Sequence, residues 1–147
     1  MFSIRRMRRE DVADVAALER KIFTDAWSER AILETLDQKQ TLLLAAYEDR
    51  KLTGYLILYF VLEDGEIARI AVDEAYRRQG VATRMLRELG SLCAENGVSK
   101  LLLDVRESNA SAYAFYVSHG FVRDGVRKNY YTNPVENAIL MSYEIGS

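Results

Sequence analysis

The spacing of apolar residues near the start of the chain predicts a short strand followed by two helices. Residues 2–5 have the composition of an opening strand. From Asp11 to Phe23 apolar residues recur every three or four positions, with acidic residues in the first turn, as in an amphipathic helix. Residues 24–27 interrupt that pattern. Ser28 is a preferred helix cap and precedes apolar residues at positions 32, 33 and 36, so we expect a second helix there.

The middle of the chain has the pattern of three consecutive strands. Thr41–Tyr47 and Leu52–Leu62 are rich in Leu, Ile and Tyr, and the polar residues 48–51 separate them. Asp64-Gly65 is a common hairpin dipeptide, and Glu66–Val72 after it has the alternation of a strand. We therefore expect an antiparallel meander with a turn at Asp64-Gly65.

The second half of the chain alternates between helices and strands. It predicts a helix over Val81–Asn96 ended by Gly97, a strand over Lys100–Val105, a helix from Asn109 to about Ser118 with Gly120 past its end, and strands over Phe121–Val126 and Ala138–Ile145. A helix between two strands is a βαβ crossover, which adds parallel pairing to the meander. We expect one α/β (α+β) domain over residues 1–147, with helices on both faces of a mixed sheet.

Composition and charge exclude several classes of protein. The 147 residues carry 20 basic and 22 acidic side chains, a net charge of −2, which excludes a strongly cationic nucleic-acid binder. Because Cys93 is the only cysteine and His119 the only histidine, we expect no disulfide within the chain and no metal. The longest apolar run, residues 55–62, is too short to span a bilayer. We expect a cytoplasmic protein without direct contact to membranes or nucleic acid, either a monomer or a weak dimer.

The segment 70–83 carries the clearest chemical signal. A strand ends, a loop brings Arg77 and Arg78, and a helix starts at Gly80. The first amides of a helix have no partners within it and lie at the positive end of its dipole, so a phosphate fits there. Gly80 and Ala82 would let a large ligand approach the backbone, and the arginines can add charge-assisted hydrogen bonds. The spacings of the usual nucleotide loops are absent. A loop with solvated arginines is the alternative.

Two motifs resemble those of a known superfamily. Arg77-x-x-Gly80-x-Ala82, after Ile70-Ala71-Val72, resembles the pyrophosphate motif of the GNAT acyltransferases, and residues 104–121 resemble its downstream half. Three segments resemble one group within that superfamily, the bacterial ribosomal-protein-alanine N-acetyltransferases: Trp27-Ser28, residues 127–131 and residues 136–141. The resemblance covers nearly the whole chain. It implies the GNAT fold, a mixed sheet of six to seven strands in which strands four and five splay apart.

The resemblance also implies that acetyl-CoA is the acetyl donor, and it assigns the contacts. The backbone of Ile70, Ala71 and Val72 would lie along the pantetheine, where a ligand amide can replace the missing strand partner. Asn109 would contact acetyl-CoA and could also cap the helix that follows it. The residues implied to surround the pyrophosphate are Arg77, Arg78, Gln79, Gly80, Val81, Ala82 and Thr83.

Catalytic roles follow from the same resemblance. Tyr116 matches the residue that protonates the departing CoA sulfur, and a phenol is protonated at neutral pH. Asp104 stands where this group usually has Glu, the base for the incoming amine. Since Asp is one methylene shorter, a water could bridge the gap. Glu66 on the preceding strand is the rival base, and an ion pair of Asp104 with Arg69 or Arg106 is the purely structural alternative.

Aromatic residues are candidates for the acceptor site. Trp27, Tyr130 and Tyr131 are expected to line a peptide groove, although aromatic side chains there could simply cover the edge of the core. The resemblance implies direct transfer of acetyl, in a ternary complex, to the N-terminal amine of a small-subunit ribosomal protein, with alanine as its first residue. Transfer to a small-molecule amine or a lysine side chain, and acyl-CoA binding without turnover, are the alternatives.

Overall fold

The computed structural model describes residues 2–145, and a seven-stranded mixed sheet forms its centre. The strands are β1 (Phe2–Arg6), β2 (Thr41–Glu48), β3 (Lys51–Val61), β4 (Asp64–Val72), β5 (Lys100–Arg106), β6 (Val122–Tyr131) and β7 (Glu136–Glu144). They lie in the order β1-β2-β3-β4-β5-β7-β6. β4 and β5 pair in parallel, whereas the other neighbours pair antiparallel. The mixed sheet expected from the sequence is confirmed.

Four helices cover the two faces of this sheet: α1 (Val12–Ile22), α2 (Glu29–Leu36), α3 (Val81–Glu95) and α4 (Ala110–Ser118). Alternation along β3 sends Leu56 into the core beneath α3 and Tyr55 into the core beneath α1 and α2. Met85 of α3 and Ile32 of α2 are fully buried in these two cores. No helix within residues 2–145 is long and apolar enough to cross a membrane.

The turn between β3 and β4 lies earlier than the sequence predicts. Gly65 pairs with Phe60 inside the ladder, so residues 62–63 form the turn and the prediction of a turn at Asp64-Gly65 is wrong. The glycine serves packing instead. A Cβ on Gly65 would lie 3.1 Å from Cγ1 of Val98, closer than side chains normally pack.

Strand β6 is longer than its sequence pattern indicates. We expected it to end at Val126, but it continues through a polar stretch to Tyr131, so Tyr130 and Tyr131 lie in this strand and not in the loop between β6 and β7. β6 is an edge strand paired with β7, and most of its side chains are exposed. An edge strand takes its hydrogen bonds from one neighbour and needs no apolar face, which is why hydrophobicity did not mark its full length.

The parallel pairing of β4 and β5 is short. It extends from Asp64–Lys100 to Glu66–Leu102 and then stops. Beyond that point β4 continues against β3 as far as Val72, and β5 continues against β7 as far as Arg106. The two strands therefore separate, as expected, and each leaves one edge without a strand partner.

Candidate active site

A groove of about 1000 Å³ opens where β4 and β5 separate. Its sides include the ends of these strands and the start of α4, with Asn109, Ala112 and Tyr116. One wall is the segment between α1 and α2, represented by Phe23, Thr24, Asp25 and Trp27, and the opposite wall consists of residues 130–133. The groove thus brings together predicted site residues from distant parts of the sequence: Trp27, Glu66, Ile70, Asp104, Asn109, Tyr116, Tyr130 and Tyr131.

The loop predicted to bind pyrophosphate lies just past the end of β4, next to the groove rather than in its lining. The first backbone hydrogen bond of α3 runs from the Arg84 amide to the Gly80 carbonyl. Within residues 2–145, none of the amides of residues 78–83 donates to a backbone carbonyl. Arg78 and Gly80 have left-handed φ angles of +65° and +82°, which turn this chain segment into the helix. Such a run of free N–H groups at a helix start is suited to an anion.

Side chains of this loop fix its shape. Nε of Arg77 donates to the Val72 carbonyl oxygen at 3.1 Å, which ties the loop to the end of β4. Nε2 of Gln79 lies 3.4 Å from the Ala75 carbonyl oxygen. A Cβ on Gly80 would meet no heavy atom within 4 Å, so the space beside this glycine is open to a ligand.

The segment predicted to follow the pantetheine has one free backbone edge. Ile70, Ala71 and Val72 pair with β3 on one side, and the other side faces the separation from β5. Ile70 lines the groove, whereas the side chain of Ala71 is buried. The free backbone edge of this segment is therefore suited to pair with an extended amide chain, which would take the place of a further strand.

Tyr116 reaches the groove from the face of the sheet that α3 and α4 cover. It is 7% exposed and packs edge-on against Phe115 and Phe121 at 5.4 Å and 5.3 Å between ring centroids. Burial raises the pKa of the Tyr116 phenol well above its usual value, and the nearby Tyr131 adds to that effect. The hydroxyl therefore keeps its proton across the physiological range.

Asp104 and Glu66 enter the groove from the opposite face. Leu103 of β5 belongs to the core beneath α3, so by alternation Asp104 points toward the face of α1 and α2. Glu66 precedes the core residue Ile67 on β4 and points the same way. Asp104 is half-buried and Glu66 is exposed. The two candidate bases thus lie on one face of the sheet and Tyr116 on the other.

The arginines that could neutralise Asp104 have other partners. Arg69 pairs with Glu19 at 2.9 Å and with Asp25 at 3.3 Å, and Arg106 pairs with Glu136 at 3.1 Å. The structural alternative for Asp104, an ion pair with Arg69 or Arg106, is therefore not formed.

Arg106 contacts the wall formed by residues 130–133 and helps to hold it in place. Its guanidinium lies 4.3 Å from the centroid of the Tyr131 ring, and Oε2 of Glu136 accepts from the Ser108 amide at 2.7 Å. Hydrogen bonds from Ser108 and Arg106 lower the pKa of Glu136. Burial, and then the Asp104 carboxylate, raises the pKa of Tyr131 to about 12. Asp104 and Tyr131 thus line the same groove, close enough for the carboxylate to affect the phenol.

The structure also shows the surroundings of the two predicted helix caps and of the single cysteine. Oδ1 of Asn109 accepts from the Ala112 amide at 3.1 Å and Oγ of Ser28 from the Ala31 amide at 3.0 Å, so both residues cap helices. Asn109 in addition lines the groove. Cys93 is buried, and burial raises the pKa of its thiol to about 11. No group of three or more His, Cys, Asp or Glu residues in the described part of the chain is arranged to hold a metal ion.

Sequence reasoning missed the role of Glu19. It occupies a position in α1 four residues after Val15 and three before Ile22, on the buried stripe of the helix, and it is fully buried. A charged residue in an apolar stripe is a signal that a partner must lie opposite. That partner is Arg69, which was considered only in connection with Asp104.

Comparison with known proteins identifies the family of the chain. The model of the Acetyltransferase (GNAT) family matches residues 12–121. A Bacillus subtilis (strain 168) protein, provisionally named ribosomal protein bS18-alanine N-acetyltransferase, is 34% identical over 140 residues, 95% of this chain and 93% of that protein. The ribosomal protein bS18-alanine N-acetyltransferase of Escherichia coli (strain K12) is 32% identical over 147 residues, 99% of each chain.

A solved structure agrees with this match. The crystal structure of the ribosomal-protein-S18-alanine N-acetyltransferase from Escherichia coli superimposes with a TM-score of 0.91 at 32% identity, covering 100% of this chain and 96% of that one. The two chains therefore share one fold over nearly their whole length. The chain belongs to the GNAT family of acetyltransferases and is an N-acetyltransferase whose acetyl donor is acetyl-CoA.

Proposed function

We propose that this chain, as one domain over residues 1–147, transfers acetyl from acetyl-CoA to the N-terminal α-amine of a cytoplasmic ribosomal protein whose first residue is alanine. The substrate is taken from the names of relatives that are 32–34% identical over nearly their full length. Two further features support a peptide acceptor: the groove is open at the surface, and aromatic side chains line both of its walls.

Acetyl-CoA binding is divided between backbone and side chains. The free amides of residues 78–83 receive the pyrophosphate, and Arg78 adds a positive charge at its rim. The open backbone edge of residues 70–72 receives the amides of the pantetheine. Asn109 contacts acetyl-CoA at the start of α4. Arg77 contributes by holding the loop to Val72, because its Nε is already bonded there.

The peptide lies in the groove between its two walls. Trp27 contributes from the segment between α1 and α2, and Tyr130 and Tyr131 contribute from the end of β6. This arrangement leaves the N-terminal amine directed toward the separation of β4 and β5, where the thioester of the donor would lie.

The observation that carries this proposal is that Asp104 and Tyr116 enter one groove from opposite faces of the sheet, where one can serve as the base and the other as the acid. Asp104 takes a proton from the incoming amine through one water, the new N–C bond forms at the acetyl carbonyl, and the C–S bond breaks. Tyr116 gives its phenol proton to the departing sulfur. Because an α-amine has a pKa of roughly 7.7–8.0, a modest base is enough. Afterwards Asp104 releases its proton to solvent and Tyr116 regains one from it. Glu66 on the same face is the alternative base.

Acetylation of short peptides is the direct test. The full chain is incubated with acetyl-CoA and a peptide that begins with Ala, and thiol release and peptide mass are followed. We expect one acetyl group on the α-amine and thiol release that depends on the peptide. Both peptides contain an internal lysine, and the control peptide has the same sequence with a blocked N-terminus. Acetylation of that lysine, or no release with any amine, would refute the proposal.

The natural substrate needs a second measurement. Mass spectrometry of ribosomal proteins from cells with and without this chain identifies which N-termini depend on it. We expect loss of acetyl from one small-subunit protein that begins with alanine. If all ribosomal N-termini are unchanged, the substrate is a different protein or a small-molecule amine.

A further inference from the structure

A buried carboxylate next to the groove has no part in the proposed chemistry. Glu19 of α1 is fully buried, and both of its oxygens are bonded. One oxygen accepts a short hydrogen bond from the Tyr55 hydroxyl. The other accepts from Nε of Arg69 and from the Trp27 amide, each at 3.0 Å. A charge is buried at low cost only when it is paired and fully hydrogen-bonded, so this arrangement is rigid.

Arg69 connects this carboxylate to one wall of the groove. It lies on β4 just past the last residue that pairs with β5. Its guanidinium carbon lies 4.0 Å from the centroid of the Phe23 ring, and Nη2 donates to the Asp25 carbonyl oxygen at 3.1 Å. Only a planar guanidinium can stack on a ring and bond a carboxylate and a carbonyl at the same time.

The segment 23–27 is therefore held at three points. Phe23 lies under the guanidinium, Asp25 accepts from it, and the Trp27 amide donates to Glu19. The Trp27 ring packs beside Tyr59 at 6.5 Å between centroids. We name Glu19, Tyr55 and Arg69 the wall cluster. The amides of residues 78–83 are not among its contacts.

We infer that the wall cluster positions segment 23–27 and thereby sets the affinity for the acceptor peptide, but not for acetyl-CoA. Its members are positioning residues, because they act through the wall and not on the reacting atoms. The inference rests on the proposed function in taking a peptide as the acceptor. It assigns substrate affinity to residues that lie outside the GNAT motif of segment 70–83.

The same chain contains a matched control away from the groove. Asp11 is a buried carboxylate that accepts from Arg5 at 2.7 and 2.8 Å, from the Tyr47 hydroxyl at 2.8 Å and from the Arg8 amide at 2.7 Å. This control cluster has the same chemistry as the wall cluster: one carboxylate, one arginine, one tyrosine and one backbone amide. None of its residues lines the groove.

The experiment compares equivalent substitutions in the two clusters. Arg69→Lys and Tyr55→Phe change the wall cluster, and Arg5→Lys and Tyr47→Phe change the control cluster. We expect Arg69→Lys to raise the peptide KM about tenfold, and Tyr55→Phe to raise it less, because a poorly positioned wall binds less well. The control variants should lower the unfolding temperature comparably and leave the peptide KM unchanged. The acetyl-CoA Kd, measured by calorimetry, should be the same in all four.

A second readout does not depend on peptide turnover. Trp27 is the only tryptophan, so its fluorescence reports the wall directly. We expect acrylamide to quench Trp27 more strongly in Arg69→Lys and Tyr55→Phe than in the wild type. In the two control variants, quenching should equal that of the wild type. Unchanged quenching in both wall variants, or an equal rise of peptide KM in both clusters, overturns the inference. If the wild type acetylates no peptide, the proposed function fails while the quenching result still decides whether the wall cluster positions the wall.

Discussion

The hydroxyl oxygen of Thr83 lies 2.9 Å from Nε2 of His119, and this contact joins the start of α3 to the end of α4. Nδ1 of His119 lies 2.8 Å from the Phe115 carbonyl oxygen, which can only accept. Nδ1 therefore donates to that carbonyl, and Nε2 forms the hydrogen bond with the Thr83 hydroxyl. The single histidine of the chain thus connects the amides at the start of α3 to the helix that carries Tyr116.

Replacing His119 should weaken acetyl-CoA binding. His119→Ala removes the hydrogen-bond partner that fixes Thr83, so we expect the acetyl-CoA Kd to rise roughly threefold to tenfold, the effect of losing one partly buried hydrogen bond. Calorimetry measures this directly. Ser118→Ala is the control for the other side of the ring, because Ser118 bonds to the Phe115 carbonyl and lies 3.0 Å from Nδ1 of His119 but does not contact Thr83. Equal Kd values for wild type and His119→Ala would show that the contact is dispensable for the donor.

Two glycines of the same region should respond to alanine with opposite signs. Gly80 has φ +82°, which costs an L-residue about 1 kcal/mol, so Gly80→Ala should lower the free energy of unfolding by that amount. Gly90 lies inside α3, and a Cβ there would meet no heavy atom within 4 Å. Gly90→Ala should therefore raise the free energy of unfolding by roughly 0.5–1 kcal/mol. Urea unfolding measures both values, and a shift of the same sign in both variants would contradict the argument.

Local sequence signals predicted the parts of the structure that depend on local chemistry. Ser28 and Asn109 cap helices as expected, because a cap is decided by a side chain and the amide three residues on. The turn before β4 was misplaced because Gly65 looks like a turn residue but is needed for packing against Val98, a contact 33 residues away. No local pattern carries information of that kind.

In the candidate site, too, residues that are adjacent in sequence could be predicted, whereas residues that only the fold brings together could not. Strand, loop and helix start follow one another along the chain, so residues 70–83 could be predicted from the sequence as a candidate anion site. The wall cluster could not, because Glu19, Tyr55 and Arg69 come from three elements that only the fold brings together. The signal available was a carboxylate in an apolar helical stripe, and it does not name its partner.

Tyr116→Phe tests the acid. The substitution keeps the edge-on packing against Phe115 and Phe121 and removes only the proton donor, so kcat should fall by about 10²-fold while the acetyl-CoA Kd is unchanged. Because burial raises the pKa of this phenol, the wild-type enzyme should lose no activity through ionisation of Tyr116 between roughly pH 7 and 10. A Phe variant as active as the wild type would reduce the residue to packing.

Asp73 should stabilise the fold in a pH-dependent way. Its carboxylate accepts from the Ala75 amide at 3.0 Å and lies 3.5 Å from Nζ of Lys21, and these contacts lower the pKa of Asp73 below 3.8. A lowered folded-state pKa gives stability that is present above the unfolded value and is lost as pH falls through the folded one. Asp73→Asn should therefore lose about 1 kcal/mol at neutral pH and approach the wild type as pH falls through the lowered folded-state pKa. Urea unfolding across pH checks this, with exposed Asp64→Asn as the control.

Asp104→Asn tests the base. The substitution is nearly isosteric, so a change in rate reports the charge and not the shape of the side chain. An α-amine with a pKa of roughly 7.7–8.0 is already partly neutral at pH 7, so we expect only a ~10- to 100-fold loss of kcat/KM there. The loss should shrink as pH rises through the amine pKa, because the amine then needs no base. Asp104→Glu should remain active, since the longer side chain reaches the amine without the bridging water.

The neighbouring acid provides the comparison that decides between the two bases. Glu66 points to the same face of the sheet as Asp104 and lines the same groove, but it is exposed where Asp104 is half-buried and close to Tyr131. Glu66→Gln should therefore leave kcat/KM within about twofold of wild type at every pH, because a solvated carboxylate at the rim is poorly placed to hold one water against the amine. A ratio of Asp104→Asn to wild-type kcat/KM that stays flat across roughly pH 6.5–9.5 would remove Asp104 from the mechanism. If Glu66→Gln then shows the pH-dependent loss expected for Asp104→Asn, the base is Glu66 on β4 and not Asp104 on β5.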